Sequence, residues 1–504
     1  MKQIFILLSF LTISNTSLAQ ITSAGSGDWS NTATWVGGRA SGTAYASAGS
    51  GNWTNPATWN PSGVPADFDD VTITAGHTVT VDDWSLSKSL TVNGTLQGSN
   101  ISRGLVVLGD VLVNITGTIQ ASGAFATGFA NQDLEPWGNL TINGTFTTTV
   151  SGSTSDIRTI TVRMHGSNKA IGASGTISIP YLYIYATTTL NIAVSGCNDL
   201  GLVSGNLDNS TANITMTGAG SLYRYDGTMS VAPVWAGNRN VSYYNDTSPI
   251  TSAIELPSSV YYFTMNGGGG VTLDKSITVT GSLDMSNGIL TTSNTNLLTV
   301  GSSATIYGGS SSSFVNGPVA QTWASSTAMK KFLTGKESAY RPLDITLSSP
   351  SSPVVRAEVF NSNCGGNKGT LNAISTVRYY QTALTSGSAT NGGTLKITFD
   401  ADDGVSNNTS LVVAQSTTVN GAYTSLGRSA STATTVTSDG TDSPYNPASG
   451  DFLVIGSTSG NPLPVELTSF TACVAGKNVS LQWNTATEAN NYGFEVERSV
   501  ISHQ

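Results

Sequence analysis

Three tyrosines on one short segment are the residues best placed to do chemistry. Tyr181, Tyr183 and Tyr185 alternate with Leu182 and Ile184. On a strand, alternate residues share a face, so the three rings stand together and the two aliphatics face the other way. Three aligned rings make a platform for a sugar. The plainer reading is the stronger one: aromatics form strands well and pack on exposed β faces. A second group is Asp69, Asp70, Asp82 and Asp83, which flank one pair of short strands. Carboxylate oxygens are what Ca²⁺ requires. Asp is equally the residue that caps turns through its own backbone bonds, and turn chemistry is the preferred reading. The run DADDG at Asp400–Gly404 lacks the alternating ligands and terminal Glu of a Ca²⁺ loop and reads as a strand-end turn. His77, His165 and His503 have no His or Cys at metal spacing. Cys197, Cys364 and Cys473 are odd in number and far apart, which excludes a disulfide framework and suggests buried free thiols. No nucleophile elbow and no phosphate loop occur.

The elements that would position these residues are strands. From Asp70 onward the chain is a series of short β runs: VTITAGHTVTV (Val71–Val81), SLTVNGTLQG (Ser89–Gly98), NLTINGTFTTTV (Asn139–Val150) and GTISIPYLYIYATTTLNIAVSG (Gly175–Gly196). Apolar and polar residues alternate within each run, so one face is buried and the other solvated. Gly, Asn and Ser mark the corners. Recurrence at about a rung per twenty residues, with no helical interruption, predicts a parallel β-helix. A single coil cannot bury its apolar edge, but stacked coils share one core. Trp53 and Trp59 are expected to plug its end, where an open edge would otherwise be exposed.

Composition agrees. Charged residues are 10% of the 504 and hydrophobic residues 38%, with 55 glycines. Typical soluble proteins carry about 25% charge. Disorder needs few apolar residues and high net charge, and here neither holds. The net charge of −9 is spread thinly, with no basic stripe, so neither nucleic acid nor an anionic membrane is an expected partner.

Domain borders follow from the pattern. Residues 1–19 read as an export signal: Lys2 gives a positive start, Ile4–Leu11 an apolar stretch, and Ser17 and Ala19 the small residues before a cut at Gln20. No later segment offers the roughly 18 apolar residues of a membrane helix. Residues 20–58 are a spacer with a partial duplication, Ser23–Trp35 against Ser47–Trp59. Residues 59–316 are the β-helix. Residues 317–458, with longer and less periodic runs, suit an antiparallel sandwich. A linker at 459–464 leads to 465–504, where strands are expected at Leu467–Thr471, Val479–Trp483 and Phe494–Arg498. About seven strands are needed to close a fibronectin-like sandwich, so this last segment is read as a truncated one, ending before closure.

Three stretches resemble known secreted proteins. Trp59–Leu96 is similar to the eight-glycine domain at the head of extracellular β-helices, on the strength of Trp59, Pro65, Asp70, Gly76, Asp82 and Leu90–Gly94. The Gly that precedes the first Asp in that family is replaced by Phe68 and Asp69. Phe314–Trp323 with Phe332–Ile345 resembles the junction from repeat region to sandwich in large secreted proteins of the Bacteroidota. Leu463–Ser499 is similar to the fibronectin type III-like module that precedes a type IX secretion sorting domain in those organisms. The resemblance implies secretion and display at the outer cell surface, and no particular reaction.

The expected function is therefore structural or adhesive: a secreted rod meeting glycans, cells or matrix through many weak contacts. One alternative is a β-helix polysaccharide lyase or hydrolase, which would need carboxylates clustered in one groove. Another is a carbohydrate-binding accessory module, marked by Tyr181, Tyr183 and Tyr185. Ca²⁺ is the one cofactor the carboxylates suggest; no catalytic residues stand out.

Overall fold

The computed structural model describes residues 42–99, 102–121, 130–147, 149–151, 157–175, 177–325, 327–439, 445, 447, 451–459, 467–475 and 478–485. The export segment, the first copy of the duplication, nearly all of the linker, the Phe494–Arg498 strand and His503 lie outside these residues. The chain is 56% strand and 2% helix, and its parallel coils amount to about 11 turns. It divides into two compact units, Met1–Ile160 and Thr161–Gln504.

In the first unit the coils build three parallel stacks, to each of which the middle coils contribute one strand. One stack holds Ala44–Ser47, Asp70–Ile73, Ser89–Val92, Val111–Val113 and Leu140–Ile142. The second holds Gly51–Asn52, Thr78–Val81, Thr95–Gly98, Thr118–Gln120 and Thr145–Thr147. The third holds Ser85–Ser87, Gly104–Val107 and Ala130–Pro136. The alternation in sequence decides which side chains enter the core: Val71, Ile73, Leu90, Val92, Val111, Val113, Leu140 and Ile142 are all buried.

The corners stack as well. Asn114 Nδ2 donates to Asn93 Oδ1 on the preceding coil at 2.6 Å. A Cβ on Gly94 would come within 2.3 Å of the Thr74 carbonyl oxygen, so only glycine lets the coils close up there. Parallel pairing already begins at Ala44, within the segment read from sequence as a spacer. The Trp59–Asn60 strand runs antiparallel along Ala44–Ser47. Trp53 and Trp59 are buried edge to face, 5.0 Å apart, and Trp59 Nε1 donates to the Trp53 carbonyl at 2.8 Å. Trp59 lies on the outermost described strand of its sheet and Trp53 directly follows the outermost strand of the second stack, Gly51–Asn52, the position of a plug.

The second unit continues with its own parallel stack. Its strands are Ile157–Met164 (from Thr161), Tyr181–Ile184, Val194–Leu202, Ile214–Arg224, Asn240–Tyr243, Ser259–Asn266, Ile277–Asn287 and Thr305–Gly308. Leu182, Leu200, Leu222, Val241, Phe263 and Leu283 form one inward column through successive coils, all buried. One position in the neighbouring inward column is charged. Arg224 follows Ile184 and Leu202 there and precedes Tyr243 and Met265. It pairs with buried Glu255, which also accepts from the Tyr243 hydroxyl at 2.9 Å and the Ala253 amide at 3.1 Å.

Parallel pairing persists to Val315–Asn316 against Thr334–Lys336, past the expected border at 316. Val319–Thr322 is the transition, parallel to Leu298–Val300 on one side and antiparallel to Leu343–Phe360 on the other. The long strands that follow pair antiparallel: Leu343–Phe360 on Tyr379–Thr398, and the latter on Asp451–Ser457, which also pairs Leu411–Ser416. Leu467–Ala475 and Asn478–Thr485 form an antiparallel hairpin, longer than the two strands read from sequence. Phe470, Val474 and Val479 on it are exposed.

Candidate functional site

The outward face of the second unit's parallel stack carries the tyrosines. Register brings two outward columns side by side. One runs Tyr181, Asp199, Ser221, Asn240, Tyr262. The other runs Arg163, Tyr183, Gly201, Tyr223, Ser242, Thr264, Asp284, Tyr307. Just past the strand ends, Tyr185, Val203, Tyr225 and Tyr244 follow the paired residues Ile184, Leu202, Arg224 and Tyr243. The coil that bears Asp199, Gly201 and Val203 is thus a floor of smaller residues. Tyr181, Tyr183 and Tyr185 flank it on one coil, and Tyr223 and Tyr225 on the next.

Sequence alternation alone placed Tyr181, Tyr183 and Tyr185 on one face, and all three are half-buried there, with Leu182 and Ile184 buried behind them. Their surroundings differ. Tyr183 reaches over the next coil: a Cβ on Gly201 would meet its Cδ1 at 2.1 Å and its Cε1 at 2.6 Å. Glycine at that position is what lets the ring lie across the sheet. The Arg163 guanidinium sits 5.2 Å from the Tyr183 ring centre, and its Nη1 donates to the Tyr185 hydroxyl at 3.1 Å. His165 stacks on Tyr185 at 4.4 Å. On the far side Tyr225 stacks with Tyr244 at 5.4 Å, and Tyr223 lies 6.1 Å from the same ring. These contacts hold the rings in fixed orientations, which lowers the ordering cost of binding to them.

Electrostatics single out Asp199. Burial raises its carboxyl to about 6. Burial also pushes the Tyr183 and Tyr223 phenols upward, and the negative charge of Asp199 adds to both shifts. In register Asp199 stands opposite Tyr181 and Ser221, one column over from Tyr183 and Tyr223. Rings on one face, with phenolic hydroxyls and one carboxyl group among them, can stack on the apolar face of a sugar and exchange hydrogen bonds with its polar edge.

The other sequence candidates are occupied in the framework. Asp69 accepts the Thr43 and Ala66 amides, each at 2.8 Å. Asp70 accepts from Ser89 Oγ at 2.5 Å and pairs with Lys88 at 3.0 Å. Asp82 accepts the Thr54 hydroxyl at 2.6 Å, and Asp83 pairs with Arg103 at 3.0 Å. The DADDG run is a single 3₁₀ turn directly after the Tyr379–Thr398 strand, capped by Asp400 and ended by left-handed Gly404. Its Asp402 and Asp403 both pair with Arg341 and Arg378. His77 Nδ1 lies 2.9 Å from Ser47 Oγ in a corner. Cys197 and Cys364 are buried free thiols, and Cys473 is exposed.

Sequence reasoning missed Tyr223, Tyr225, Tyr244, Arg163 and Asp199. Part of the signal was present, since Tyr223 and Tyr225 alternate in Ser221–Asp226 as the first three do. What it lacked was the coil length that sets them opposite one another. Of the carboxylates in the two outward columns, Asp199 and Asp284 stand four coils apart, about 19 Å at the usual strand spacing. Comparison of the chain with known protein families, with curated proteins and with solved structures finds no match.

Proposed function

We propose that this chain is a secreted β-solenoid, displayed at the outer cell surface, that contacts extracellular glycans through its tyrosine face without cleaving them. The observation that carries the reading is the pairing of Tyr181, Tyr183 and Tyr185 with Tyr223 and Tyr225 across one coil of small residues. Aromatic rings held by their neighbours offer contact area at low entropic cost. The sugar-facing groups are on consecutive coils of a rigid stack, so a polymer could engage several at once and gain avidity. Export is supported by the Lys2 to Ala19 segment, and surface display by the resemblance of Leu463–Ser499 to modules of the type IX secretion class. A hydrolase or lyase needs acid and base groups within reach of one bond. The wide separation of Asp199 and Asp284 weighs against that alternative.

The test is a glycan array probed with the protein and with Tyr223→Ala. One stacked ring contributes about 1 kcal/mol beyond its area, so the variant should bind its glycan roughly tenfold more weakly. Unchanged binding, or turnover of a polysaccharide that the Asp199→Asn substitution abolishes, overturns the reading.

A further inference from the structure

Among the carboxylates described above, Asp199 is unlike the rest. Asp69, Asp70, Asp82, Asp83, Asp402 and Asp403 each accept a hydrogen bond or pair with a cation within the fold. The Asp199 side chain accepts no hydrogen bond from any described residue and pairs with no described cation, although its backbone amide and carbonyl are both engaged. It is half-buried on the outward face, opposite Tyr181 on one coil and Ser221 on the next. Tyr183 and Tyr223, opposite Gly201, stand beside it. We infer that Asp199 selects the ligand of the tyrosine face, and that the ligand is a glycan carrying free amino groups. The inference rests on the glycan-contact reading above and narrows it to one substrate class.

The chemistry favours an ammonium over the competing groups. Near neutral pH the carboxyl, with a pKa of about 6, is charged within a partly desolvated site. An ammonium beside it restores the lost solvation through a charge-assisted hydrogen bond. The negative faces of the Tyr183 and Tyr223 rings add cation–π attraction of the kind aromatic cages use. A sugar hydroxyl would bond the same oxygen more weakly, and a uronate would be repelled. The groups facing Asp199 are Tyr181 and Tyr183 from the preceding coil and Ser221 and Tyr223 from the following one. The nearest cation in these columns is Arg163, two coils away and already engaged with Tyr183 and Tyr185.

The experiment compares the whole chain with Asp199→Asn, which keeps the side-chain shape. Calorimetry near neutral pH measures binding of glucosamine oligomers, their N-acetylated counterparts and glucose oligomers of equal length. The native protein should prefer the free-amine oligomer by about tenfold or more, and added salt should weaken that preference. Asp199→Asn should bind the free-amine and acetylated oligomers alike. Equal binding of all three oligomers by the native protein, a preference that survives Asp199→Asn, or no binding of any oligomer overturns the inference. The broader glycan array with Tyr223→Ala decides separately whether the tyrosine face binds glycans at all.

Discussion

Replacing Glu255 by Ala tests how the second unit tolerates a charge inside its core. Arg224 is 5% exposed and Glu255 1%, and their neighbours along the inward column are Leu202, Tyr243 and Met265. Removing one member of a buried pair leaves the other charge uncompensated, which costs about 3–5 kcal/mol. The same change strips an acceptor from the Tyr243 hydroxyl and the Ala253 amide, each worth about 1–3 kcal/mol if nothing replaces it. These costs overlap, because a cavity opened by the truncation admits water, so about 3–5 kcal/mol is the expected total. The double change Arg224→Met with Glu255→Gln removes the charge on both sides. It keeps an amide oxygen for Tyr243 and Ala253, and should recover most of the loss, since apolar replacements of buried pairs are often neutral or better. Urea unfolding followed by circular dichroism gives the totals. Amide exchange on Ile214–Arg224 and Asn240–Tyr243 localises the effect, since solenoid coils can open in part. A Glu255→Ala variant within about 1 kcal/mol of the native protein, or a double variant less stable than the single one, refutes the account.

Two further outcomes follow from the tyrosine face. Gly201→Ala places a Cβ 2.1 Å from the Tyr183 ring, so the ring must swing off the sheet. Glycan affinity should fall while circular dichroism stays native, and unchanged affinity would show that Tyr183 does not contact the ligand. Asp199 gives a pH signature in stability. Its folded-state pKa is raised from 3.8 to about 6, so the native state holds the proton more tightly than the unfolded chain. The stability due to that proton is fully present below about 3.8 and is lost as pH rises through about 6. Asp199→Asn should therefore gain on the native protein across that window in denaturant midpoints taken at several pH values, and a gap that does not change with pH would contradict the raised pKa.

The β-solenoid was legible because its causes are local. Alternation in Ser89–Val92 and Tyr181–Ile184 sorts each side chain inward or outward, whatever the rest of the chain does. Glycine and asparagine at the corners mark where coils turn, and Gly94 is glycine because the previous coil's backbone leaves no room for a Cβ. The same rule put Tyr181, Tyr183 and Tyr185 on one face. The wrapping of the first coil was less legible, because the duplicated Ser47–Trp59 segment looks like a spacer until Ala44–Ser47 is seen to pair with Asp70–Ile73.

Cross-coil neighbours belong to the tertiary structure alone. Tyr183 meets Gly201 and Gly201 meets Tyr223 only because successive coils advance by the lengths they do, with register shifts between Val194 and Cys197 and between Cys197 and Asp199. In a strand a slip of one residue moves every side chain to the other face. Those irregularities therefore decide that Asp199 and Gly201 stand outward between the tyrosines. Composition and alternation set which residues are buried. The length of each coil, which no local pattern encodes, sets what each exposed residue stands beside.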